Sequence, residues 1–206
     1  MFYFSKYRNF ENNNIDLKRL NLIQKVTNKK HYFSKTIFKL SDNRCKCLSQ
    51  KIVFTKDELP ISKRIEYLKI LSEELNSLLR YKLIHGDLNQ KNIRLGKDGY
   101  YVIDFEPILF YENSHKLMCT YPYINLTDYK LNILTEKTDK LSFDIFIKKK
   151  LKFPFEKKLT IDYVNYLYEK TNSTYSLNFS QILNNNLKNY NDLSWIIFFR
   201  TITFVF

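Results

Sequence analysis

Apolar positions along this chain recur at helical spacing in some stretches and alternate as in strands in others, and the switches between the two mark its elements. Residues 2–6 read as a short aromatic strand ending in Lys6, and Asn12-Asn13-Asn14 forms a break after it. Ile15, Leu17, Leu20, Leu22, Ile23 and Val26 then follow a mostly helical period, predicting a helix over 15–26. Residues 31–40 are aromatic and β-branched, Ser41-Asp42-Asn43 supplies a turn, and residues 48–55 read as the partner strand. Pro60 and Ser62 open a helix running to about Lys82, with Ile65, Leu68, Leu71, Leu75, Leu78 and Leu79 on one face at three- and four-residue spacing. Residues 93–95 and 100–103 flank Gly96-Lys97-Asp98-Gly99, whose glycines and aspartate suit a hairpin tip. Further on, residues 159–168 and 177–187 read as helices. The apolar run from Trp195 to Phe206 reads as a packed terminal element, or as an edge that contacts a partner. No repeat is present beyond Tyr-Phe-Ser-Lys, which occurs twice, ending at Lys6 and at Lys35.

Composition narrows the class. A chain of 206 residues, 44% hydrophobic and 17% aromatic, is long and apolar enough for one domain or one small two-lobed unit with a real core, which excludes a disordered chain. The balance of 34 Lys and Arg against 21 Asp and Glu gives a net charge of +13, which raises encounter rates with anions such as acidic headgroups, phosphorylated sugars, nucleic acid or ATP. AT-rich coding also produces a chain rich in Asn, Lys, Ile, Tyr and Phe. Cys45, Cys47 and Cys119 cannot all pair, and Cys45-Lys46-Cys47 lacks a second ligand pair for zinc, so free thiols in a reducing compartment are expected. The first residues carry no signal-peptide pattern, and no apolar run approaches the roughly 18–20 residues that span a bilayer. A cytoplasmic location is the expectation. The basic run Lys148-Lys149-Lys150 with Lys152, Lys157 and Lys158 reads as a solvated face, with contact to an anionic surface as the alternative.

Residues 83–106 carry the chemistry. His85-Gly86-Asp87 is followed by Asn92 five residues after the aspartate, and a second aspartate, Asp104, ends an apolar run and precedes Phe105-Glu106. Phosphoryl transfer from a nucleotide needs this set: one carboxylate to orient or deprotonate the attacking hydroxyl, and an amide oxygen and a second carboxylate to hold Mg²⁺ against the phosphates. A hairpin between Asn92 and Asp104 brings the two metal-binding oxygens to one side. Asp87 alone would be an ordinary loop carboxylate, and Asp104 alone a strand-end turn residue.

The Asp-to-Asn spacing, followed by an Asp-Phe pair, resembles the protein-kinase-like superfamily. The His85-Gly86-Asp87 and Asp104-Phe105-Glu106 forms are similar to its aminoglycoside-kinase and lipopolysaccharide-kinase branches. The resemblance implies an α+β, two-lobed fold, with a reduced β-containing lobe and hinge over residues 1–58 and a mainly helical lobe over 59–206. It implies that ATP and Mg²⁺ are bound, with Asp87, Asn92 and Asp104 as catalytic residues and Asn92 and Asp104 as the metal ligands. His85 would hold the loop by hydrogen bonds. Lys6 would contact the α- and β-phosphates, with Asp16 or Glu11 as its acidic partner. Choosing Lys35 instead would leave only the twelve residues 36–47 for a helix and a strand before residues 48–55, too few at typical lengths. Lys91 would neutralise the transferring phosphoryl, and residues 54–58 would form the hinge that binds adenine.

Thr120-Tyr121-Pro122-Tyr123-Ile124-Asn125 resembles the end of an activation segment, with Asn125 where the family has a Pro-Glu pair. Residues 134–146 resemble the central helix of the large lobe, in which Asp139 would receive backbone amides of the catalytic loop. Gly86, Gly96 and Gly99 are the only glycines, so nothing precedes Lys6 that could form the family's glycine-rich flap. The resemblance implies a phosphotransferase acting on a hydroxyl acceptor, protein or glycan, most similar to a protein Ser/Thr kinase, with no nucleic acid partner. A lipopolysaccharide, sugar or other small-molecule kinase is the first alternative, and a non-catalytic binding module of the same fold is the second.

Overall fold

One strand organises the larger sheet. The structure is a computed structural model, and it describes residues 3–4, 9–11, 17–41, 44–55, 59–105, 135–151 and 176–203. β1 (Tyr3–Phe4) and β2 (Asn9–Glu11) precede helix α1 (Leu17–Lys29), and β3 (Thr36–Ser41) and β4 (Arg44–Gln50) follow it. β4 pairs antiparallel with β3 along one edge, and with β2 and β1 end to end along the other. The architecture of the described residues is mixed α+β, with two small antiparallel sheets and four helices.

Several boundaries differ from the sequence pattern. The partner strand starts at Arg44, not at residue 48, and β3 starts at Thr36, not at residue 31. The tight turn decides this: Ser41 already pairs with Arg44, so register is fixed directly at the turn and the strand must begin there. β2, a strand the pattern did not predict, pairs with that early part of β4. The α1 helix begins two residues later and runs three residues further than the predicted 15–26.

The chain on both sides of the β3–β4 hairpin is put to a second use. Before β3, the backbone of Tyr32 to Ser34 runs parallel to strand β6 (Tyr100–Val102): Val102 N–H donates to Tyr32 O and Ser34 N–H donates to Val102 O, both at 2.8 Å. After β4, Thr55 N–H donates to Leu95 O at 3.0 Å, which attaches residues 54–55 to strand β5 (Ile93–Leu95). The open end of one hairpin therefore grips both edges of the other. Arg94 adds to this by placing its guanidinium over the Phe54 ring, 4.4 Å from the centroid.

Helix α2 (Ile61–Arg80) lies close to the predicted span, and Leu68, Leu71, Leu75 and Leu78 are buried as the spacing predicts, while Ile65 and Leu79 are partly buried. Burial of each such leucine contributes about 1.5–3 kcal/mol. Helix α3 (Glu136–Leu151) is buried on nearly every side from Thr138 to Ile147, and helix α4 (Phe179–Thr203) packs on it and on α2. Helix α4 is much longer than the predicted 177–187. The run Asn184-Asn185-Asn186 does not interrupt it, because Asn186 Nδ2 donates to Ile182 O within the helix and to Asp144 Oδ1 on α3 at 2.6 Å. At the start of α4, Asn178 and Gln181 form a reciprocal capping box: Gln181 N–H donates to Asn178 Oδ1 and Asn178 N–H to Gln181 Oε1. Asn76 on α2 accepts the Phe179 N–H at 2.9 Å, fixing where α4 begins. Among the described residues, no helix is long and apolar enough to cross a membrane. The predicted helix at 159–168, the segment Thr120–Asn125, and Lys152, Lys157 and Lys158 lie outside the described residues.

The end of helix α2 sets the direction in which the chain enters the loop at His85. Lys82 adopts a left-handed φ of 52°, Lys82 N–H donates to Leu79 O and Leu83 N–H donates to Leu78 O, which together form a Schellman motif. Buried Leu83 packs into the core with Leu78, and the chain turns abruptly towards His85. Lysine stands where glycine is favoured. Lys82→Gly therefore raises stability by about 0.5–1 kcal/mol through relief of the left-handed strain, measured by chemical denaturation. Unchanged or lower stability would show that this strain is not what limits the turn.

Candidate active site

The loop from Leu83 to Asn92 is held from below by a single carboxylate. Asp139, on the first turns of α3, accepts the His85 N–H at 2.6 Å and the Gly86 N–H at 2.7 Å, one on each oxygen. Gly86 has a φ of 80°, a left-handed conformation that suits glycine and turns both amides to one side. Asp139 is buried, and burial pushes its carboxyl up to about 7 against the opposing pull of the two amides. This is the loop anchor that the family resemblance implies for Asp139.

His85 ties the loop to the β5–β6 hairpin. Its Nε2–H donates to Ile103 O at 2.9 Å, and its Nδ1 accepts the Asp87 N–H at 3.3 Å. Burial lowers its pKa, so the ring is neutral, and both nitrogens are engaged. The role is structural, as the sequence suggests. The ring also meets Phe105 nearly edge-on, with centroids 4.9 Å apart, and Phe105 in turn touches Phe33 at 5.2 Å. Buried Phe105 thus fixes the chain immediately after Asp104 between the loop and the segment that precedes β3. Asp104 itself has a φ of 61°, a strained conformation for a non-glycine residue of the kind that occurs at functional sites.

Asp87 and Asn92 meet through their side chains. Asn92 Nδ2 donates to Asp87 Oδ2 at 2.7 Å and to Asp87 O at 2.9 Å. Both amide hydrogens of Asn92 are used in this way, so its Oδ1 faces away from Asp87 as an acceptor. Asn92 O receives the Ile103 N–H at 2.9 Å, which places Asn92 beside the residue that precedes Asp104. Asp87, Asn92 and Asp104 are therefore brought to one end of the hairpin.

Among the described residues, no group of three His, Cys, Asp or Glu side chains forms a metal cage. The donors present are one amide oxygen and one or two carboxylates. That set suits Mg²⁺, which keeps several waters and takes a few carboxylate ligands together with substrate phosphates. It does not suit zinc, which requires histidine or thiolate ligands.

The remaining predicted residues are placed less closely. The Lys91 side chain is exposed, and its backbone N–H donates to Asn89 Oδ1 at 2.7 Å. Lys35, the alternative to Lys6, sits just before β3 and pairs through its backbone with Gln50. Lys6 and Asp16 lie outside the described residues, as do Glu106 and residues 56–58 of the expected hinge. The Glu11 backbone pairs with Arg44 in the sheet.

Sequence reasoning missed Asn89, which is 1% exposed and donates from Nδ2 to Asp87 Oδ1 at 2.6 Å. The available signal was its place two residues after an aspartate, a spacing at which Asn and Asp commonly build side-chain turns.

At the far end of the hairpin, Asp98 accepts from Tyr101 OH at 2.7 Å, from His31 Nε2 at 2.9 Å and, through its backbone O, from Tyr32 OH at 3.2 Å. This cluster fastens the tip to the chain that leaves α1. A Cβ at Gly99 would lie 2.2 Å from the Tyr32 ring, so only glycine lets that ring close over the tip. Gly99→Ala displaces Tyr32 and breaks its bond to Asp98, and the expected loss is about 1–2 kcal/mol of stability. An equally stable G99A protein in denaturant titration would show that the tip is not fastened in this way.

No protein-family model matches the chain, and no curated protein is similar to it in sequence. The functional reading therefore rests on the site.

Proposed function

We propose that this protein is an ATP-dependent phosphotransferase of kinase-like fold that moves the γ-phosphate to a hydroxyl acceptor, in the manner of a protein Ser/Thr kinase. The observation that supports the reading is the placement of Asn92 between Asp87 and the residue before Asp104: its amide donates to Asp87 Oδ2 at 2.7 Å, and its backbone O accepts the Ile103 N–H at 2.9 Å. In the proposed reaction the acceptor oxygen attacks the γ-phosphorus, and the bond from that phosphorus to the β–γ bridging oxygen breaks. ADP leaves with the electron pair, and the hydroxyl proton passes to Asp87. Asn92 and Asp104 would hold Mg²⁺, which when bound neutralises charge on the phosphates. Asp87 orients the acceptor, and the Asp139-anchored loop keeps Asp87 in place. Little covalent chemistry is asked of the protein, so catalysis comes from positioning and charge. Residues 1–58 would form the reduced lobe, with Lys6 on the phosphates and Asp16 as its partner, and Lys91 would serve the transferring phosphoryl.

Two other readings have support. The His85-Gly86 and Asp104-Phe105-Glu106 forms, with the +13 charge, favour a glycan or small-molecule acceptor. The absence of a Pro-Glu pair, with Asn125 in its place, favours a binding module without transfer. Thermal shift with ATP, with and without Mg²⁺, separates the last from the first two: the phosphotransferase shows Mg²⁺-dependent stabilisation and the binding module shows none. Radiolabelled ATP offered to a lysate, followed by separation of protein and glycolipid fractions, assigns the acceptor. Label in neither fraction would refute transfer.

A further inference from the structure

We infer that Asn89 is a positioning residue for Asp87, and that its side-chain amide sets the direction in which the Asp87 carboxylate meets the acceptor hydroxyl. The inference rests on the phosphotransferase reading and adds a residue to it. Each Asp87 oxygen receives an amide: Oδ1 from Asn89 Nδ2 at 2.6 Å and Oδ2 from Asn92 Nδ2 at 2.7 Å. Two donors on different oxygens fix the carboxylate plane, whereas one donor alone would leave the group free to turn about its Cβ–Cγ bond.

Asn89 is itself locked. Its N–H donates to Asp87 O at 2.8 Å, its Oδ1 accepts the Lys91 N–H at 2.7 Å, and its O accepts the N–H groups of Asn92 and Ile93. It is 1% exposed, so the amide is shielded from solvent. The donor is what reaches the proposed reacting group. Its effect falls on the approach of the acceptor, while Asn92 and Asp104 remain available to Mg²⁺-ATP.

Asn89→Asp separates the two roles. The variant keeps an oxygen for the Lys91 N–H and replaces the donor with a second oxygen facing Asp87. Transfer of the γ-phosphate from radiolabelled Mg²⁺-ATP to the labelled acceptor fraction of a lysate by the purified protein is the readout. In Asn89→Asp the expected kcat falls about 10²-fold, in line with a misplacement of about an ångström, with KM for ATP within about twofold of wild type. The Mg²⁺-dependent ATP thermal shift persists.

Asn89→Ser and Asn89→Ala provide a pair of similar size that differs in one hydroxyl, which can donate towards Asp87. The serine variant is expected to retain a kcat several-fold above the alanine variant at equal melting temperature. This pair decides the matter if Asn89→Asp does not fold. Wild-type kcat in Asn89→Asp, or equal kcat in the serine and alanine variants, would overturn the positioning role while leaving the phosphotransferase reading standing. A wild-type protein that transfers no label from Mg²⁺-ATP to either fraction of a lysate would overturn both.

Discussion

Replacing Asp87 with alanine is expected to abolish phosphate transfer, with a loss of about 10²–10⁴-fold from removal of the group that orients and accepts the hydroxyl proton. The fold should survive, because the loop is held by other bonds. The His85 and Gly86 amides still reach Asp139, and His85 Nε2 still reaches Ile103 O. Nucleotide binding should also survive. Asn92 Nδ2 keeps its 2.9 Å bond to the backbone oxygen of residue 87, which alanine retains, so the Asn92 amide keeps its orientation. The Asn89 and Asn92 amides each lose a carboxylate oxygen, which costs about 1–3 kcal/mol per donor unless water replaces it. The decisive comparison is transfer of label from ATP to the acceptor alongside an ATP–Mg²⁺ thermal shift. An Asp87→Ala protein that shifts normally and transfers nothing supports the role. Transfer at the wild-type rate would end it.

The second large effect is expected at Asp139. Asp139→Ala removes the acceptor of two buried backbone amides and leaves both unpaired, at a cost of about 3–5 kcal/mol in folding stability and with disorder of the loop that carries Asp87. The cost depends on pH. In the folded protein the Asp139 carboxyl is raised from 3.8 to about 7, chiefly by burial, so the native state holds this proton more tightly than the unfolded chain. Its contribution is full below 3.8 and is lost as pH rises through about 7. The stability difference between wild type and Asp139→Ala is therefore larger at about pH 5 than at about pH 8. Urea titrations of both proteins across this range test the sign, and a difference that grows with pH would refute it. Activity should fall as well, because the loop loses the support that faces Asp87.

Much of the site was legible because its signals are local. The helical spacing of Leu68, Leu71, Leu75 and Leu78 depends only on neighbours three and four residues away, and α2 forms close to where that spacing puts it. The Gly96-Lys97-Asp98-Gly99 tip identifies the β5–β6 hairpin from turn chemistry alone, and with it the placing of Asn92 and Asp104 at one end. Asp139 is a different case. Nothing in its surroundings in sequence marks it, and only resemblance of the α3 stretch to a known helix singled it out. The two bonds it makes are to residues more than fifty positions away.

The amino-acid sequence by itself determined the order of chemical groups, Asp87 then Asn92 then Asp104, and the helices and turn that flank them, because periodicity and turn preference are properties of short segments. Tertiary structure alone decided the rest. It chose Arg44 as the start of β4 through pairing with Ser41, carried α4 on to Thr203, and wrapped residues 32–34 and 54–55 around the second hairpin. It set the left-handed turn at Asp104 and aimed the Asn89 amide at Asp87. Each of these depends on where distant backbone groups find hydrogen-bond partners once water is excluded, and no short stretch of sequence contains that information.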